Sequence, residues 1–244
     1  MSDIPLRVAL VGMGRMGRAL DALAGDRSVQ VVARIDDVAA GTGITRALLG
    51  TAQVAIEFTE PDAAVANAVS CLQVGCPIVI GTTGWDARRH EVIDAVQRSQ
   101  CAALWSPNFS LGVQLFLAIA EAAAHRLRAF SAFDTHIVET HHVGKRDAPS
   151  GTAIAIADTL ERGLARRVPI SSVRVGAVPG THEVILDAPF EQIRLVHTAR
   201  DRRVFADGAL TAARWLASHR APALYSMQDM LADISPNTPF TKQS

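Results

Sequence analysis

The sequence lacks an excess of charge of either sign, because 24 lysine and arginine residues are balanced by 24 aspartate and glutamate residues. A neutral chain has no general attraction for nucleic acid or for an anionic membrane surface, so we expect neither as a partner. Any anion-binding site must then be local. With 244 residues, of which 49% are hydrophobic, the chain can bury a sizeable core.

Cysteines and long hydrophobic runs are also scarce. Cys71, Cys76 and Cys101 are odd in number and lack the spacing of a disulfide framework, which indicates buried thiols. The N-terminus has no basic start followed by a long apolar run, so we expect no signal peptide. The apolar stretch 111–124 is interrupted by two polar residues and is too short to span a membrane. These absences predict a cytoplasmic protein.

The first half of the chain alternates apolar strand-like runs with helical patterns, which is typical of a parallel sheet covered by helices on both faces. Strands are predicted over residues 6–11, 29–35, 54–58, 77–80 and 102–105, and helices over 15–24, 61–74 and 86–99.

The pattern changes near residues 108–112, which we interpret as a domain boundary. Helices are then predicted over 111–127, 150–165 and 208–218, and strands over 133–142, 172–176, 182–186 and 192–197, before a short tail. Consecutive strands without intervening helices predict an antiparallel or mixed sheet. The expected fold class is α/β, with a second domain of α+β type.

A glycine motif follows the first predicted strand and opens the first predicted helix. It reads Gly12-Met13-Gly14-Arg15-Met16-Gly17, which is the spacing and the context of a Rossmann dinucleotide-binding motif. Gly12 would permit a tight turn, Gly14 would let the backbone approach a pyrophosphate, and Gly17 would let helix and strand pack closely. The alternative is that these glycines only form a turn.

An acidic residue stands where such a motif requires one. Asp36 ends the second predicted strand, nineteen residues after Gly17, and would accept hydrogen bonds from the adenosine ribose. Asp37 follows it, and two carboxylates would repel the 2′-phosphate of NADPH, so we expect NADH to be favoured. The nearby Arg15 and Arg34 would weaken that preference.

The other strand ends should face the same crevice, because ligands in such sheets bind outside the carboxyl ends of the strands. Ordinary turn chemistry is the alternative for each segment taken singly. The segments in question contain Phe58, Thr59, Gly81, Thr82, Thr83, Ser106, Pro107, Asn108 and Phe109.

Residues 139–152 contain the densest group of reactive side chains, with His141, His142 and Lys145 before a Ser-Gly-Thr helix start. A lysine and a histidine can supply protons and attract an anionic substrate, and a helix start offers N–H groups to a carboxylate. A metal site is disfavoured, because adjacent histidines on a strand point to opposite faces and no third ligand is near in sequence. A solvated loop before a capped helix is the remaining alternative.

Residues 141–152 resemble the signature H-H-x-x-K-x-D-A-P-S-G-T of the 4-hydroxy-tetrahydrodipicolinate reductases, or dihydrodipicolinate reductases, of bacterial lysine biosynthesis. Further segments similar to family motifs occur in family order, and the resemblance covers nearly the whole chain. These segments are 14–18, 58–61, 81–84, 107–110, 180–182 and 207–209.

The resemblance implies a Rossmann-like dinucleotide-binding domain formed by residues 1–110 and 206–244. It also implies a substrate-binding and oligomerisation domain, residues 111–205, that builds a homotetramer. The implied reaction is the NADH- or NADPH-dependent reduction of a small cyclic dicarboxylate, 4-hydroxy-tetrahydrodipicolinate, to tetrahydrodipicolinate with loss of water, in lysine and diaminopimelate biosynthesis.

By position, the resemblance makes His141 and Lys145 the catalytic pair, with Lys145 the proton donor. It assigns substrate binding to His142, Ser150, Gly151 and Thr152, cofactor binding to residues 12–17, 36, 58, 81–83 and 106–109, and no metal. Two other functions stay open. One is a different small dehydrogenase, similar to aspartate dehydrogenase, and the other is a non-catalytic dinucleotide-binding redox sensor.

Overall fold

The structure, a computed structural model, describes residues 4–36, 43–218 and 221–234. Strands and helices are numbered in chain order. They are β1 Leu6–Val11, α1 Arg15–Ala24, β2 Val29–Ile35, α2 Arg46–Leu49, β3 Val54–Glu57, α3 Pro61–Gln73, β4 Ile78–Ile80, α4 Arg89–Ser99, β5 Ala103–Trp105, α5 Leu111–Leu127, β6 Asp134–His141, α6 Gly151–Leu164, β7 Ile170–Arg174, β8 Thr181–Ala188, β9 Glu191–Thr198, α7 Arg203–Ser218, β10 Leu224–Tyr225 and α8 Met227–Ile234.

The described residues form two compact units. The first contains the chain up to Phe109 and the residues from Phe205 onward, and the second contains Ser110–Val204. No helix in the described ranges is long and apolar enough to cross a membrane.

A six-stranded sheet organises the first unit, in the order β10-β5-β4-β3-β1-β2 with every neighbouring pair parallel. Both faces of β1 are buried: Ala9 and Val11 on one side, Val8 and Leu10 on the other. Within the sheet, the chain passes from β1 to β2, which is its neighbour on one side, and then to β3, which is its neighbour on the other side. This reversal of direction opens a crevice at the carboxyl ends of β1 and β3, where ligands of such sheets bind.

Local sequence signals explain where several helices begin. Pro61 occupies the first position of α3, where its missing N–H costs no hydrogen bond. Ser110 and Ser150 cap α5 and α6, and each hydroxyl accepts a hydrogen bond from the N–H three residues later.

A four-stranded sheet organises the second unit, in the order β7-β6-β8-β9. β6 and β7 are parallel, whereas β6, β8 and β9 are antiparallel neighbours, so the sheet is mixed. α5 and α6 cover one face around Ile137, Ile156 and Val184. The two helices lie close together at Gly163, where an added Cβ would come within 2.5 Å of the Cβ of Ala124.

Strand β6 carries polar residues into this core. Its buried positions alternate, so Thr135, Ile137, Glu139 and His141 lie on the face covered by the helices. On β8, His182 and Val184 lie on the same face, and His182 stands directly opposite Glu139. Two imidazoles and a carboxylate are therefore brought together at one end of the core.

The expected α/β fold class, with a parallel sheet and a separate mixed sheet, is confirmed. The expected tail after residue 218 is wrong, since β10 extends the first sheet beside β5 and α8 follows it. A two-residue strand is too short to show a period, and its pairing is a tertiary contact. The predicted strand 172–176 is shifted to 170–174, and the predicted helix 208–218 begins at Arg203.

Candidate active site

The glycine turn after β1 has the geometry that its spacing predicts. Gly12 has φ +91, and a Cβ there would lie 2.2 Å from the carbonyl oxygen of Phe58. A Cβ on Gly17 would lie 2.1 Å from the carbonyl oxygen of Gly12. Beside Gly14, by contrast, a Cβ would meet nothing within 4 Å. Two glycines are therefore required by packing, and the third leaves open space at the start of α1.

Asp36 lies beside this turn. Its carboxylate accepts a hydrogen bond of 2.6 Å from the backbone N–H of Met13. The guanidinium of Arg34 is engaged by both carboxylate oxygens of Asp21, at 2.8 and 2.6 Å. Asp37 lies outside the described residues. Of the groups expected to set the cofactor preference, Asp36 is bonded to the glycine turn and Arg15 is part of it, whereas Arg34 is paired with Asp21.

A cavity of about 360 Å³ opens at the carboxyl ends of β1, β3 and β4. It is lined by Gly14, Arg15, Met16, Phe58, Thr59, Pro61, Gly81, Thr82 and Thr83. Seven of these residues are predicted cofactor contacts, Thr59 belongs to a strand end expected to face the same crevice, and Pro61 is additional. Its position at the switch in strand order is the one expected for a nucleotide.

The other predicted cofactor residues support the turns around this cavity. Phe109 is buried and packs edge-on against Phe58, with ring centroids 5.9 Å apart. The hydroxyl of Ser106 donates to the carbonyl of Asn108 and accepts from its N–H, which closes the turn after β5 around Pro107.

Thr82 is held from two sides within the cavity wall. Its hydroxyl donates to the fully buried carboxylate of Glu57 at 2.9 Å and accepts from the N–H of Thr59 at 2.8 Å. Its carbonyl accepts from the indole N–H groups of both Trp85 and Trp105, at 2.7 and 3.1 Å.

Burial raises the pKa of the Glu57 carboxyl group, although the hydrogen bonds that it accepts from Thr59 and Thr82 act in the opposite direction. This carboxyl group and the two indoles fix the strand-end loops that face the cavity.

Lys145 occupies the loop after β6 in the second unit. Its ammonium donates to both oxygens of Asp147, at 2.8 and 2.9 Å, and this pairing lowers the pKa of Asp147. Its backbone N–H donates to the carbonyl of His142, which folds the loop back on itself. His142 is half-buried, whereas His141 is buried at the end of β6.

Glu139 links His141 to an arginine. Nδ1 of His141 touches one carboxylate oxygen of Glu139, without the alignment of a regular hydrogen bond. The other oxygen accepts a hydrogen bond of 2.8 Å from Arg174. The same guanidinium donates to the carbonyls of Lys145 and Asp147, at 3.3 and 2.6 Å.

These contacts set the charges of the cluster. Burial raises the pKa of Glu139, but the hydrogen bonds from Arg174 and Ser172 and the nearby positive charges outweigh it, and the pKa is about 2. Burial lowers the pKa of His141, and the charges of Lys145 and Arg174 lower it further, whereas Glu139 acts in the opposite direction. Glu139 is therefore ionised at neutral pH.

His182 connects the cluster to the start of α6. Its ring packs edge-on against His141, with centroids 5.1 Å apart, and its Nε2 is hydrogen-bonded to the hydroxyl of Ser150 at 3.2 Å. Burial, together with the neighbouring His141, lowers the pKa of His182 to about 4. The Ser150 hydroxyl is thus used as a helix cap and as the partner of His182, and α6 begins at Gly151 with Thr152 next to it.

Glu139, His141 and His182 also meet the spacing of a metal site, with one ligand atom of each within 4.8 Å of the others. Here, however, Nδ1 of His141 and a carboxylate oxygen of Glu139 touch each other directly. Arg174 and Lys145 add positive charge next to the same group. The arrangement suits proton handling better than metal binding.

Two family models match this chain. The model described as "Dihydrodipicolinate reductase, N-terminus" matches residues 6–109, and the one described as "Dihydrodipicolinate reductase, C-terminus" matches residues 112–231. Together they span most of the sequence. The chain belongs to the dihydrodipicolinate reductase family.

Relatives of this family agree over nearly full length. The 4-hydroxy-tetrahydrodipicolinate reductase of Christiangramia forsetii is 31% identical, with 95% of this chain and 100% of the relative covered. That of Rhodopseudomonas palustris strain BisA53 is 38% identical, with 95% and 97% covered. A dipicolinate-bound dihydrodipicolinate reductase from Paenisporosarcina has the same fold, with a TM-score of 0.78, 22% identity and coverage of 93% of this chain and 100% of its own.

Membership of the dihydrodipicolinate reductase family confirms the predicted family, and with it an oxidoreductase of lysine and diaminopimelate biosynthesis. The family uses NADH or NADPH.

The sequence analysis missed several residues of the site. Glu139 is one that a local signal could have revealed, because it stands two positions before His141 on a strand and must share its face. The partners Arg174 and His182 come from other strands, and only the sheet register brings them to Glu139. Glu57, Trp85 and Trp105 were not identified either.

Burial of His182 makes the stability of the second unit pH-dependent. The pKa of about 4 lies below the ordinary 6.5, so this unit loses stability as the pH falls from about 6.5 to about 4. Protonation of His182 in the unfolded state over this range lowers the free energy of unfolding by about 3 kcal/mol. We expect His182→Asn to show a correspondingly smaller loss when unfolding by urea is followed between pH 7.5 and 4.

The exposed His90 supplies the control, since His90→Asn should leave the pH dependence of the wild type intact. If His182→Asn shows the same pH dependence of stability as the wild type, His182 is not the group responsible for it.

Proposed function

We propose that this chain reduces 4-hydroxy-tetrahydrodipicolinate to tetrahydrodipicolinate with NADH or NADPH, and that its two units divide the task. The first unit, which contains the glycine turn, binds the dinucleotide. The second unit, which contains His141 and Lys145, binds the dicarboxylate and supplies the proton. The observation that carries the proposal is the match of both family models to a chain whose glycine turn lies in the first unit and whose His141 and Lys145 lie in the second.

The cavity of the first unit fits a dinucleotide. The space beside Gly14 accepts a pyrophosphate that a side chain would exclude, and the N-terminus of α1 favours its negative charge. Thr82 and Thr83 and the ring of Phe58 line the region for ribose and nicotinamide. Once bound, the reduced nicotinamide supplies the hydride, and the protein contributes position and charge.

The second unit fits a cyclic dicarboxylate, the class to which the dipicolinate of the Paenisporosarcina structure belongs. The start of α6 at Gly151 favours one carboxylate, and Lys145 and His142 on the preceding loop supply further donors. Hydride transfer leaves a nitrogen-conjugated system that needs a proton, and we assign its delivery to Lys145 with His141 beside it.

The choice of lysine at position 145 supports this role. Lys145 and Lys242 are the only lysines among the 24 cationic residues of the chain. An arginine would provide the same charge but does not give up its proton in proteins. A chain that otherwise uses arginine therefore places a cation that can deprotonate next to His141.

Replacement of Lys145 separates charge from proton transfer. We expect Lys145→Ala to lower kcat about 100-fold or more, with near-normal binding of NADH. Lys145→Arg, which keeps the charge, should lose a similar factor. The assay couples the reaction to an upstream synthase that generates the substrate, and follows NADH or NADPH absorbance.

The neighbouring exposed cation provides a matched control, because Arg146→Ala removes the same charge from the same loop and should retain most of kcat. Full activity of Lys145→Arg would exclude proton donation by Lys145. Tight NADH binding without turnover of the wild type would favour the redox sensor, and turnover of aspartate alone would favour the alternative dehydrogenase.

We further propose that Asp36 biases the enzyme toward NADH, because a carboxylate held by the Met13 N–H would repel a 2′-phosphate. We expect Asp36→Ser to lower kcat/KM for NADH about tenfold and to raise the NADPH-to-NADH ratio of kcat/KM. Asp26→Ser, an exposed carboxylate of the same unit, is the control. A strong NADPH preference of the wild type would overturn the proposal.

We also propose that the second unit assembles a homotetramer through the face of its sheet opposite α5 and α6. By strand alternation this face carries Val138, Val173, Ile185 and Val196, and the exposed fractions of Val173 and Val196 are 41% and 57%.

Light scattering should give four times the chain mass for the wild type. Val196→Glu should give smaller species, because a charge in an apolar interface is unfavourable. Ile4→Glu, at an apolar residue exposed in the first unit, should leave the mass unchanged. A monomeric wild type would refute the assembly.

A further inference from the structure

We propose that Arg174 is the positioning residue for both proton-handling side chains: through Glu139 it orients His141, and through two loop carbonyls it holds the backbone of Lys145. This inference rests on the proposed function of His141 and Lys145. It concerns a residue that acts through its neighbours Glu139, Lys145 and Asp147.

One guanidinium joins three segments of the second unit. It donates to the Glu139 carboxylate on β6 at 2.8 Å, to the Asp147 carbonyl at 2.6 Å and to the Lys145 carbonyl at 3.3 Å. It also donates to the carbonyl of Val173 on its own strand, at 2.8 Å. The planar guanidinium is therefore used on all its nitrogens, which a lysine could not reproduce.

The sheet register explains why this position can do so. β7 runs parallel to β6, and Arg174 stands opposite His141 at the point where both strands end. The side chain therefore lies beside the last residues of β6 and beneath the loop that follows them. Its side chain is 18% exposed, so its contacts are largely shielded from water.

The positive charge of Arg174 keeps the carboxyl group of Glu139 ionised. A carboxylate that is fully buried needs a cationic partner to remain ionised, and Arg174 forms this ion pair. The ionised oxygen that touches Nδ1 of His141 favours a proton on that nitrogen, which leaves Nε2 for exchange with solvent or substrate. Without the guanidinium, Glu139 would share a proton with His141 and the imidazole would lose its fixed tautomer.

The charged groups that face His141 come from every element around it. Glu139 lies on its own strand, Arg174 on β7, His182 on β8 and Lys145 on the following loop. Removal of Arg174 takes away one positive charge, leaves Glu139 unpaired and loosens the backbone of Lys145. We therefore expect removal of Arg174 to change both the value of kcat and its pH dependence.

Arg174→Ala tests the proposal by chemical rescue. We expect kcat to fall about tenfold or more while the KM for NADH stays within about twofold, since the cofactor cavity is untouched. Added guanidinium chloride, at concentrations well below those that unfold the protein, should restore part of the lost kcat. The pH profile of kcat should shift in the variant and return toward that of the wild type with guanidinium.

Two further variants keep the test decisive if Arg174→Ala does not fold. Arg174→Lys keeps the charge but loses the fork, and Glu139→Gln keeps the shape but loses the charge. Each should shift the pH profile. Long-range ¹H–¹⁵N spectra should show His141 protonated on Nδ1 in the wild type and a mixture of tautomers in Glu139→Gln. This readout does not depend on turnover.

Arg126→Ala is the control, because it removes an exposed arginine of the same unit, on α5, whose guanidinium donates to the carbonyl of Ala122 at 3.2 Å. It should leave kcat and the pH profile unchanged. A fall in kcat with no guanidinium rescue and no shift in the pH profile would mean that Arg174 is merely structural.

An unchanged kcat in Arg174→Ala would overturn the proposal directly. If the wild type reduces the substrate and Lys145→Ala abolishes this activity, such a result removes only the role of Arg174. If the wild type shows no turnover, the proposed function itself fails.

Discussion

The ion pair between Glu139 and Arg174 is the interaction on which the proposed chemistry of the second unit depends. A fully buried carboxylate is costly, and removal of either partner leaves an uncompensated charge or unmet donors. An apolar pair would fill the same space more cheaply. The pair contributes what an apolar contact cannot, because its carboxylate touches the imidazole of His141 while its guanidinium donates to the loop carbonyl of Asp147.

The first unit also contains a buried carboxyl group, but this group has a different role. Glu57 is also fully buried at the carboxyl end of a strand, and it accepts hydrogen bonds from Thr59 and Thr82 on the turns that face the cavity. Its charge has no cationic partner among its hydrogen bonds, and burial raises its pKa, whereas the pKa of Glu139 is lowered by Arg174. Glu57 therefore positions the hydroxyl groups of Thr59 and Thr82, whereas Glu139 carries a negative charge beside Arg174.

The thiols of the first unit take no part in this chemistry. Cys71 and Cys76 are buried, and burial raises the pKa of Cys76 to about 11 and that of Cys71 well above its ordinary value. The thiolate is the reactive form, so these side chains are inert at neutral pH. This weakens the redox-sensor alternative, at least in any form that uses a thiol as the sensor.

The sequence predicts those parts of the molecule whose signal is local. β1, α1 and α5 have the bounds that periodicity gives, and the glycine motif predicts its turn, because each depends on a short stretch of chain. β10 is missed because two residues carry no period. The Glu139–His182 and Glu139–Arg174 contacts depend on strand register across long separations in sequence, which no single segment encodes.

The division of work between arginine and lysine follows from their acid–base chemistry. Arg174 never deprotonates, so it can hold Glu139 ionised throughout a catalytic cycle. Lys145 can release a proton, and its resting partner Asp147 has a side chain that is 59% exposed. In the proposed function a substrate carboxylate would displace Asp147 at small cost, because an ion pair with an exposed carboxylate contributes little free energy. Arg174 is therefore fixed by hydrogen bonds to four oxygens, whereas the proposed proton donor Lys145 is paired with an exposed carboxylate that a substrate would replace.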